Sequence, residues 1–189
     1  MESLSSRGVK CIPFKPIESG VTEVQNSDAH KLWEAYSRLY KGEPLSISDL
    51  SLYSYEIPAA PFIAKQNDII DIERIKNKAS LLEKKCDVLL IEGAGGLFVP
   101  IEHNFFMIDL AAELADFTIL VSRAGLGCIN DSLLSQEALK ARGAKFAVIY
   151  NERENDRFED ISKPFLSRSK GGAATLKELE PFLEGLGLF

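Results

Sequence analysis

The chain has 189 residues, of which 46% are hydrophobic, and its formal net charge at pH 7 is −6. This length and composition predict a single globular α/β domain over residues 1–189 and exclude two ordinary domains. The acidic balance argues against binding to nucleic-acid backbones or anionic membranes through bulk electrostatics, so any phosphate site must be local.

Apolar runs of strand length alternate with segments of helical period, a pattern typical of a mainly parallel sheet with helices on both faces. In chain order the predicted elements are strand 9–14, helix 27–40, loop 41–51, extended stretch 52–57, helix 71–85, strand 87–92, helix 106–114, strand 117–122, helix 129–142, strand 145–150 and helix 175–185. The pattern weakens between residue 151 and the last helix.

The three cysteines, Cys11, Cys86 and Cys128, are odd in number and widely separated. This spacing disfavours a disulfide framework or a paired-cysteine metal site. No apolar run reaches the roughly twenty residues that span a bilayer, and residues 1–10 lack the apolar core of a secretory signal. We therefore expect a cytoplasmic protein with neither a membrane nor a nucleic acid as partner.

The segment KPIESG, residues 15–20, follows the first predicted strand. Open α/β sheets bind their ligands at the carboxyl ends of strands, so Lys15 could face an anion there. Pro16 lacks an N–H donor and Gly20 tolerates positive φ, which together favour a tight turn. An ordinary surface lysine at the exit of a strand explains the same residues equally well.

Two carboxylates are candidate ligands for Mg²⁺. Asp28 stands at the start of a predicted helix, where capping and the helix dipole explain it without any ligand. Glu92 ends a strand so apolar that we expect it in the centre of the sheet, where an unpaired carboxylate is costly. Because magnesium on a triphosphate takes one or two carboxylates, Asp28 and Glu92 together have the right number and chemical hardness.

Two glycine-containing turns are candidate ligand sites. GAGG, residues 93–96, would let backbone amides approach a ligand closely, although GAGG alone occurs in many turns. GLGCIN, residues 125–130, lies between a strand and a helix, so its amides could hold a carboxylate or phosphate, and an ordinary helix cap is the alternative. Asn151 ends the last predicted strand and either forms a turn or contacts a nucleobase.

Taken together and in order, KPIESG, NSDAH (26–30), IEGAGG (91–96), GLGCIN and Asn151 resemble the dethiobiotin synthetases, the ATP-dependent cyclo-ligases of biotin biosynthesis. The resemblance covers about residues 7–151. It implies a P-loop NTPase-like fold, Mg²⁺ as cofactor and a homodimer. It also implies that 7,8-diaminopelargonic acid, CO₂ and ATP yield dethiobiotin through a carbamate and its phosphorylated anhydride.

The resemblance assigns roles to the polar residues. Lys15 would stabilise the carbamate and the transferring phosphoryl group, and Ser19 would hydrogen-bond the same region of the substrate. Asp28 and Glu92 would hold the magnesium and, with it, the nucleotide.

The remaining assignments concern substrate and nucleotide contacts. By similarity, the residues against the diamine are Gly93, Ala94, Gly95 and Gly96. The helix that begins after Gly127 would contribute Cys128, Ile129 and Asn130. These residues would hold the distal carboxylate of the diamine that is bound in the neighbouring subunit. Gly95 and Asn151 would also contact ATP, with Asn151 facing the adenine.

The sequence departs from the family at its amino end. The resemblance implies a strand, a Walker A loop GxxxxGK[ST] and its helix at the start of the fold. This sequence contains no such motif, and we expect its first residues to correspond to the end of that helix. We expect the missing strand to leave backbone groups of its neighbours unpaired. A start codon assigned too late is favoured over a true truncation, because Lys15, Asp28 and Glu92 make chemical sense only beside bound ATP.

Other function classes remain alternatives at this stage. A truncated homologue would be a non-catalytic pseudoenzyme or a dimeric scaffold. A ParA- or MinD-like ATPase shares the general fold, although its equivalent strand usually ends in aspartate where this chain has Glu92.

Overall fold

The computed structural model describes residues 1–40, 45–169 and 171–187. The chain forms two compact units, Met1–Leu114 and Ala115–Phe189. The interpretation of the whole chain as a single domain stays a prediction. Within the described ranges, no helix combines the length and the apolar character needed to cross a membrane.

The first unit alternates helices and strands along the chain. Its strands are β1 (Cys11–Ser19), β2 (Ser51–Tyr55), β3 (Val88–Ile91), β4 (Pro100–Glu102) and β5 (Phe105–Phe106). Its helices are α1 (Glu2–Ser6), α2 (Asp28–Leu39), α3 (Ile47–Leu50), α4 (Pro61–Ala64), α5 (Ile72–Glu83) and α6 (Met107–Leu114). A 3₁₀ turn at Val24–Asn26 precedes α2.

Strand β1 is the central strand of a parallel sheet with the order β2-β1-β3. Residues 11–14 of β1 pair with residues 88–91 of β3. Residues 15–19 pair with residues 51–55 of β2. Lys15 therefore lies where the pairing with β3 ends and the pairing with β2 begins.

The extent of β1 differs from the prediction, which ended the strand at residue 14. The KPIESG segment continues the strand to Ser19 because β2 pairs with it along that length. The fixed φ of Pro16 is compatible with extended backbone, so the ring removes a donor without ending the strand. The turn comes at Gly20, whose φ of 81° is the positive value that the sequence predicts there.

Two further predictions for this unit are wrong. Residues 47–50 form α3 within the predicted loop, because Ser46 and Asp49 make a reciprocal capping box. Residues 41–44 of that loop lie outside the described residues.

The second wrong prediction is the central position of β3. Among the described residues its sole strand partner is β1, and all four of its residues are partly exposed. One edge of β3 thus lacks a neighbouring strand in the described structure.

The core of the first unit lies between the sheet and the amphipathic helices. Capping by local side chains defines where the two longest helices begin: Ser27 accepts from the His30 amide at α2, and Asp71 accepts from the Arg74 amide at α5. The buried cluster from these elements includes Ile12, Phe14, Ile17, Tyr36, Ile75, Leu82 and Leu110. This packing holds α2 and α5 against the strands that carry Lys15 and Glu92.

The second unit contains a parallel strand pair. Its elements are β6 (Thr118–Arg123), α7 (Cys128–Ala141), β7 (Phe146–Asn151), α8 (Phe158–Ile161), α9 (Lys163–Leu166), a 3₁₀ turn (Leu176–Glu178) and α10 (Leu179–Gly185). Residues 118–123 pair in parallel with residues 146–151. The two predicted strands and the predicted helix between them are confirmed, whereas α8 and α9 were not predicted. Val121 on β6 is 57% exposed.

The ion pair between Asp49 and Lys78 predicts a pH dependence of stability. Hydrogen bonds from Lys78 at 2.8 Å and from Ser46 lower the pKa of Asp49 from its usual value to about 2. Because the folded-state pKa is depressed, the stabilisation is present above pH 4 and is lost as the pH falls toward 2. We expect Asp49→Asn to lower the free energy of unfolding at pH 7 and to flatten its decline below pH 4, as measured by urea denaturation. An equally steep decline in the variant would contradict this origin.

Candidate functional site

The side chain of Lys15 is a buried cation at the carboxyl end of β3, with only 4% of its surface exposed. Its Nζ donates to Glu92 Oε1 at 2.7 Å and to the carbonyl oxygen of Gly93 at 2.9 Å. Asp28 Oδ2 lies 3.5 Å from the same nitrogen. The structure thus brings together Lys15, Asp28 and Glu92. Along the chain, Asp28 follows Lys15 by 13 residues and Glu92 follows Asp28 by 64 residues.

Strand pairing explains why these groups meet. The Glu92 amide donates to the Phe14 carbonyl at 2.9 Å, which extends the β1–β3 pairing by one residue. This bond fixes the backbone of Glu92 beside that of Lys15. Asp28 is brought to Lys15 as the first residue of α2, which packs on β1.

Glu18 is a functional candidate that the sequence analysis missed. Its side chain lies on β1, three residues after Lys15, and the residue is only 7% exposed. Its carboxylate accepts hydrogen bonds from the backbone amides of Asp28 and Ala29, through one oxygen each. The signal was available in the sequence, because a carboxylate inside a buried strand requires a partner.

The start of α2 is therefore saturated by this chain's own groups. Glu18 takes the first two amides of the helix, and Ser27 Oγ accepts from the His30 amide at 3.0 Å. The Lys31 amide donates to the Ser27 carbonyl at 3.2 Å. Consequently α2 presents the side chain of Asp28, rather than free amides, to the space around Lys15.

A cleft of about 390 Å³ opens beside these charges. The residues that line it are Lys15, Glu18, Ser19, Asp28, Ala94, Gly95, Val99 and residues 58–61. The Ser19 hydroxyl donates to the Ala59 carbonyl at 2.7 Å, which ties the end of β1 to the 58–61 segment. That segment is a second feature missed from the sequence, where it read only as a proline-flanked connection.

The glycine turn after β3 is shaped by backbone and packing requirements. Gly95 has φ of 81°, and a Cβ there would lie 2.9 Å from Val99 Cγ2. A Cβ on Gly93 would lie 3.2 Å from the Met107 side chain. At Gly96 no atom lies within 4 Å of such a Cβ, so this glycine has no comparable structural constraint. Ala94 and Gly95 line the cleft, and their predicted contacts with a ligand stay predictions.

The other predicted site residues belong to the second unit. Cys128 is buried, and its amide donates to the Gly125 carbonyl at 3.0 Å. Asn130 is exposed and donates to Asp131 at 3.3 Å. Asn151 is exposed at the end of β7. The predicted roles of Cys128, Ile129, Asn130 and Asn151 stay predictions.

An ion pair also stands at the start of α7. Arg123 Nη2 lies 2.5 Å from Asp131 Oδ2, and this guanidinium holds the pKa of the Asp131 carboxyl below its usual range.

The donor chemistry around Lys15 fits a hard divalent cation. Two carboxylates, Asp28 and Glu92, face the buried ammonium of Lys15, and the exposed ammonium of Lys31 lies 3.3 Å from the other oxygen of Asp28. Among the described residues there is no cluster of three or more His, Cys, Asp or Glu side chains arranged to hold a metal. The two half-exposed carboxylates match the one or two that Mg²⁺ takes from a protein when water and phosphate oxygens complete its coordination, and their metal role stays a prediction.

Comparison with known proteins gives consistent matches. A family model described as an AAA domain matches residues 1–180. The ATP-dependent dethiobiotin synthetase BioD of Sulfurovum sp. (strain NBC37-1) is 43% identical over 167 residues, which are 87% of this chain and 79% of the relative. The protein of the same name from Wolinella succinogenes is 37% identical over 169 residues, 87% of this chain and 78% of the relative. That of Helicobacter pylori (strain Shi470) is 36% identical over 166 residues, 84% of this chain and 75% of the relative.

The two glycines of the turn give a matched prediction. Gly95→Ala would place a Cβ in contact with Val99 and force an L-residue to positive φ, so we expect a loss of about 1–3 kcal/mol in the free energy of unfolding. Gly96→Ala is the control, and its stability should be unchanged or raised by up to about 1 kcal/mol. Urea denaturation of both variants measures the difference, and equal stabilities would refute the assigned constraint.

Proposed function

Because the chain belongs to the ATP-dependent dethiobiotin synthetase family, with its P-loop NTPase-like α/β fold, we propose that it is an ATP-dependent cyclo-ligase that makes dethiobiotin. Its substrates would be 7,8-diaminopelargonic acid, CO₂ and ATP, and its products dethiobiotin, ADP and phosphate. The observation that carries this proposal is the buried Lys15 ammonium between two carboxylates at the edge of a cleft.

The proposed reaction has three steps. One amine of the diamine adds to CO₂ and loses a proton, which gives a carbamate. A carbamate oxygen then attacks the γ-phosphorus of ATP, and ADP leaves. Finally the second amine attacks the carbonyl carbon of this mixed anhydride, so that phosphate leaves and the ureido ring closes.

Each step develops or transfers negative charge, which explains why a buried lysine suits this chemistry. Phosphoryl transfer depends on positioning and charge neutralisation more than on a covalent contribution from the protein. Lys15 lines the cleft and is held at a fixed point by Glu92 and Gly93. Its ammonium would stabilise the carbamate and the transferring phosphoryl group there.

Ser19 would hydrogen-bond the same part of the substrate, because it also lines the cleft. Its hydroxyl proton is directed to the Ala59 carbonyl, so its oxygen remains able to accept a hydrogen bond from a substrate amine. The backbone of Ala94 and Gly95, on the wall of the same cleft, would bound the diamine.

Asp28 and Glu92 would hold Mg²⁺, whose chemical contribution when bound is to neutralise phosphate oxygens of ATP. Their carboxylates are 46% and 50% exposed, so both can accept a further ligand while the lysine between them stays buried. The same carboxylates keep the ammonium of Lys15 at its position.

The other family properties rest on resemblance alone. These are a cytoplasmic homodimer, contacts from Cys128, Ile129 and Asn130 to the diamine's distal carboxylate in the neighbouring subunit's site, and contacts from Gly93, Gly96 and Asn151 to substrates. Sedimentation of the purified protein would measure its oligomeric state directly.

The proposed activity is tested by phosphate release from MgATP. We expect release that requires both the diamine and bicarbonate, with formation of dethiobiotin detected by mass spectrometry. ATP binding without diamine-dependent release would instead identify a non-catalytic homologue. Release that ignores the diamine would point to a plain ATPase.

The metal role of Glu92 predicts a separation of activity from stability. Glu92→Gln keeps an acceptor for Lys15 but removes the charge that a cation needs, so we expect turnover to fall about 100-fold. The free energy of unfolding should change by less than about 1 kcal/mol, since the Glu92 side chain is half exposed and Asp28 still neutralises Lys15 at 3.5 Å.

Glu102→Gln is the matched control, because Glu102 pairs with the largely buried Lys65 at 2.9 Å in the same unit. Turnover of this variant should stay close to that of the wild type. Normal turnover of Glu92→Gln would remove Glu92 from the metal site.

A further inference from the structure

We propose that Glu18 is a positioning residue, whose buried carboxylate fixes the start of α2 on β1 and thereby sets the location of the Asp28 carboxylate beside Lys15. The inference rests on the metal-binding role of Asp28 in the proposed function. It concerns a residue to which that function assigns no part.

The contacts of Glu18 carry the inference. One carboxylate oxygen accepts from the Asp28 amide and the other accepts from the Ala29 amide at 3.1 Å. The bond to Asp28 holds the backbone of the very residue whose side chain reaches Lys15 at 3.5 Å. A shift of the first turn of α2 would therefore move Asp28 relative to Lys15 and Glu92.

The hydrogen bonds of Glu18 favour a positioning role over direct contact with the cation. Although the residue lines the cleft, each of its oxygens is engaged by a helix amide. Each oxygen keeps a second lone pair, but the two charge-assisted bonds already fix the carboxylate on the first turn of α2. Glu18 thus acts through Asp28 rather than on the cation itself.

Glu18 is itself rigidly placed. It stands opposite Ser54 in the β1–β2 pairing. This is the middle one of three consecutive pairs, which begin at Ile17 and end at Ser19. After Ser19 the Gly20 amide donates to the Ile57 carbonyl at 3.1 Å, which anchors the strand end. The anchor point for α2 is therefore set by the sheet.

The connection from β1 to α2 cannot supply the same precision. Residues 20–26 are mostly exposed and form only a short 3₁₀ turn before Ser27. Ala29 and Tyr36 pack the body of the helix against the core. The carboxylate of Glu18 adds two hydrogen bonds at the first turn of α2. The helix dipole also favours a negative charge at this position.

The test compares Glu18→Gln with Asp71→Asn. Glutamine keeps the shape of the side chain but turns an NH₂ group toward one of the two helix amides. Asp71 is a matched control, because its carboxylate accepts from the Arg74 amide at the start of α5, a helix of the same 12-residue length in the same unit. Both variants exchange a capping carboxylate for an amide, and only one of them touches Asp28.

The readout is Mn²⁺ binding, titrated by electron paramagnetic resonance without diamine and repeated with ATP, together with the midpoint of thermal unfolding. We expect Glu18→Gln to bind Mn²⁺ about tenfold more weakly than the wild type, as for loss of other groups that orient a metal ligand. Asp71→Asn should lower the unfolding midpoint similarly and leave Mn²⁺ affinity unchanged.

Two outcomes overturn the inference in different ways. If the wild type binds Mn²⁺ and Glu18→Gln binds it equally well, Glu18 is a structural cap only and the proposed metal site stands. If the wild type binds no Mn²⁺ even with ATP, the metal role of Asp28 is wrong and the inference is wrong with it.

Glu18→Asp keeps the test decisive if Glu18→Gln does not fold. The shorter carboxylate retains the charge at the helix start but cannot bridge the same distance, so α2 must shift to meet it. We expect a folded variant with weakened Mn²⁺ affinity, and wild-type affinity in this variant would overturn the positioning role.

Discussion

The structure of the first unit depends on the neutralisation of one buried ammonium. A lysine at 4% exposure is tolerated only if its charge is paired and its donors are satisfied. Glu92 and the Gly93 carbonyl satisfy Lys15 from the end of β3, and Asp28 adds a second carboxylate from α2. The β1–β3 pairing, the start of α2 and the glycine turn are therefore all constrained by the same nitrogen atom.

That constraint also prepares the site for charged ligands. The half-exposed carboxylates of Asp28 and Glu92 attract a cation, while the Lys15 ammonium on the wall of the cleft attracts an anion. Glu18 accepts hydrogen bonds from the first two amides of α2, which could otherwise bind a phosphate. Helix capping therefore does not use the carboxylates of Asp28 and Glu92. Within one cleft, the Glu18 carboxylate is thus used for helix capping, whereas Lys15, Asp28 and Glu92 hold one another in place and also face the space for ligands.

Local patterns in the sequence were sufficient to predict most elements and the chemically important charges. Helical periodicity predicted α2, α5 and α7, and a carboxylate at the tip of an apolar strand singled out Glu92. The same patterns failed where pairing partners decide the outcome. Hydrophobicity alone cannot distinguish a central strand from an edge strand, so the prediction of a central β3 was wrong. Pro16 suggested a turn, whereas β1 continues through it along β2.

The sequence by itself determined that Lys15, Asp28 and Glu92 form one constellation, because their order and surrounding motifs resemble one enzyme family. Only the tertiary structure decided which atoms meet: the Gly93 carbonyl at Lys15, the Glu18 carboxylate at the first turn of α2, and the 58–61 segment on the cleft wall. The reason is physical. These contacts depend on the register of parallel strands, which is set by pairing between segments as much as 77 residues apart and leaves no local signature in the chain.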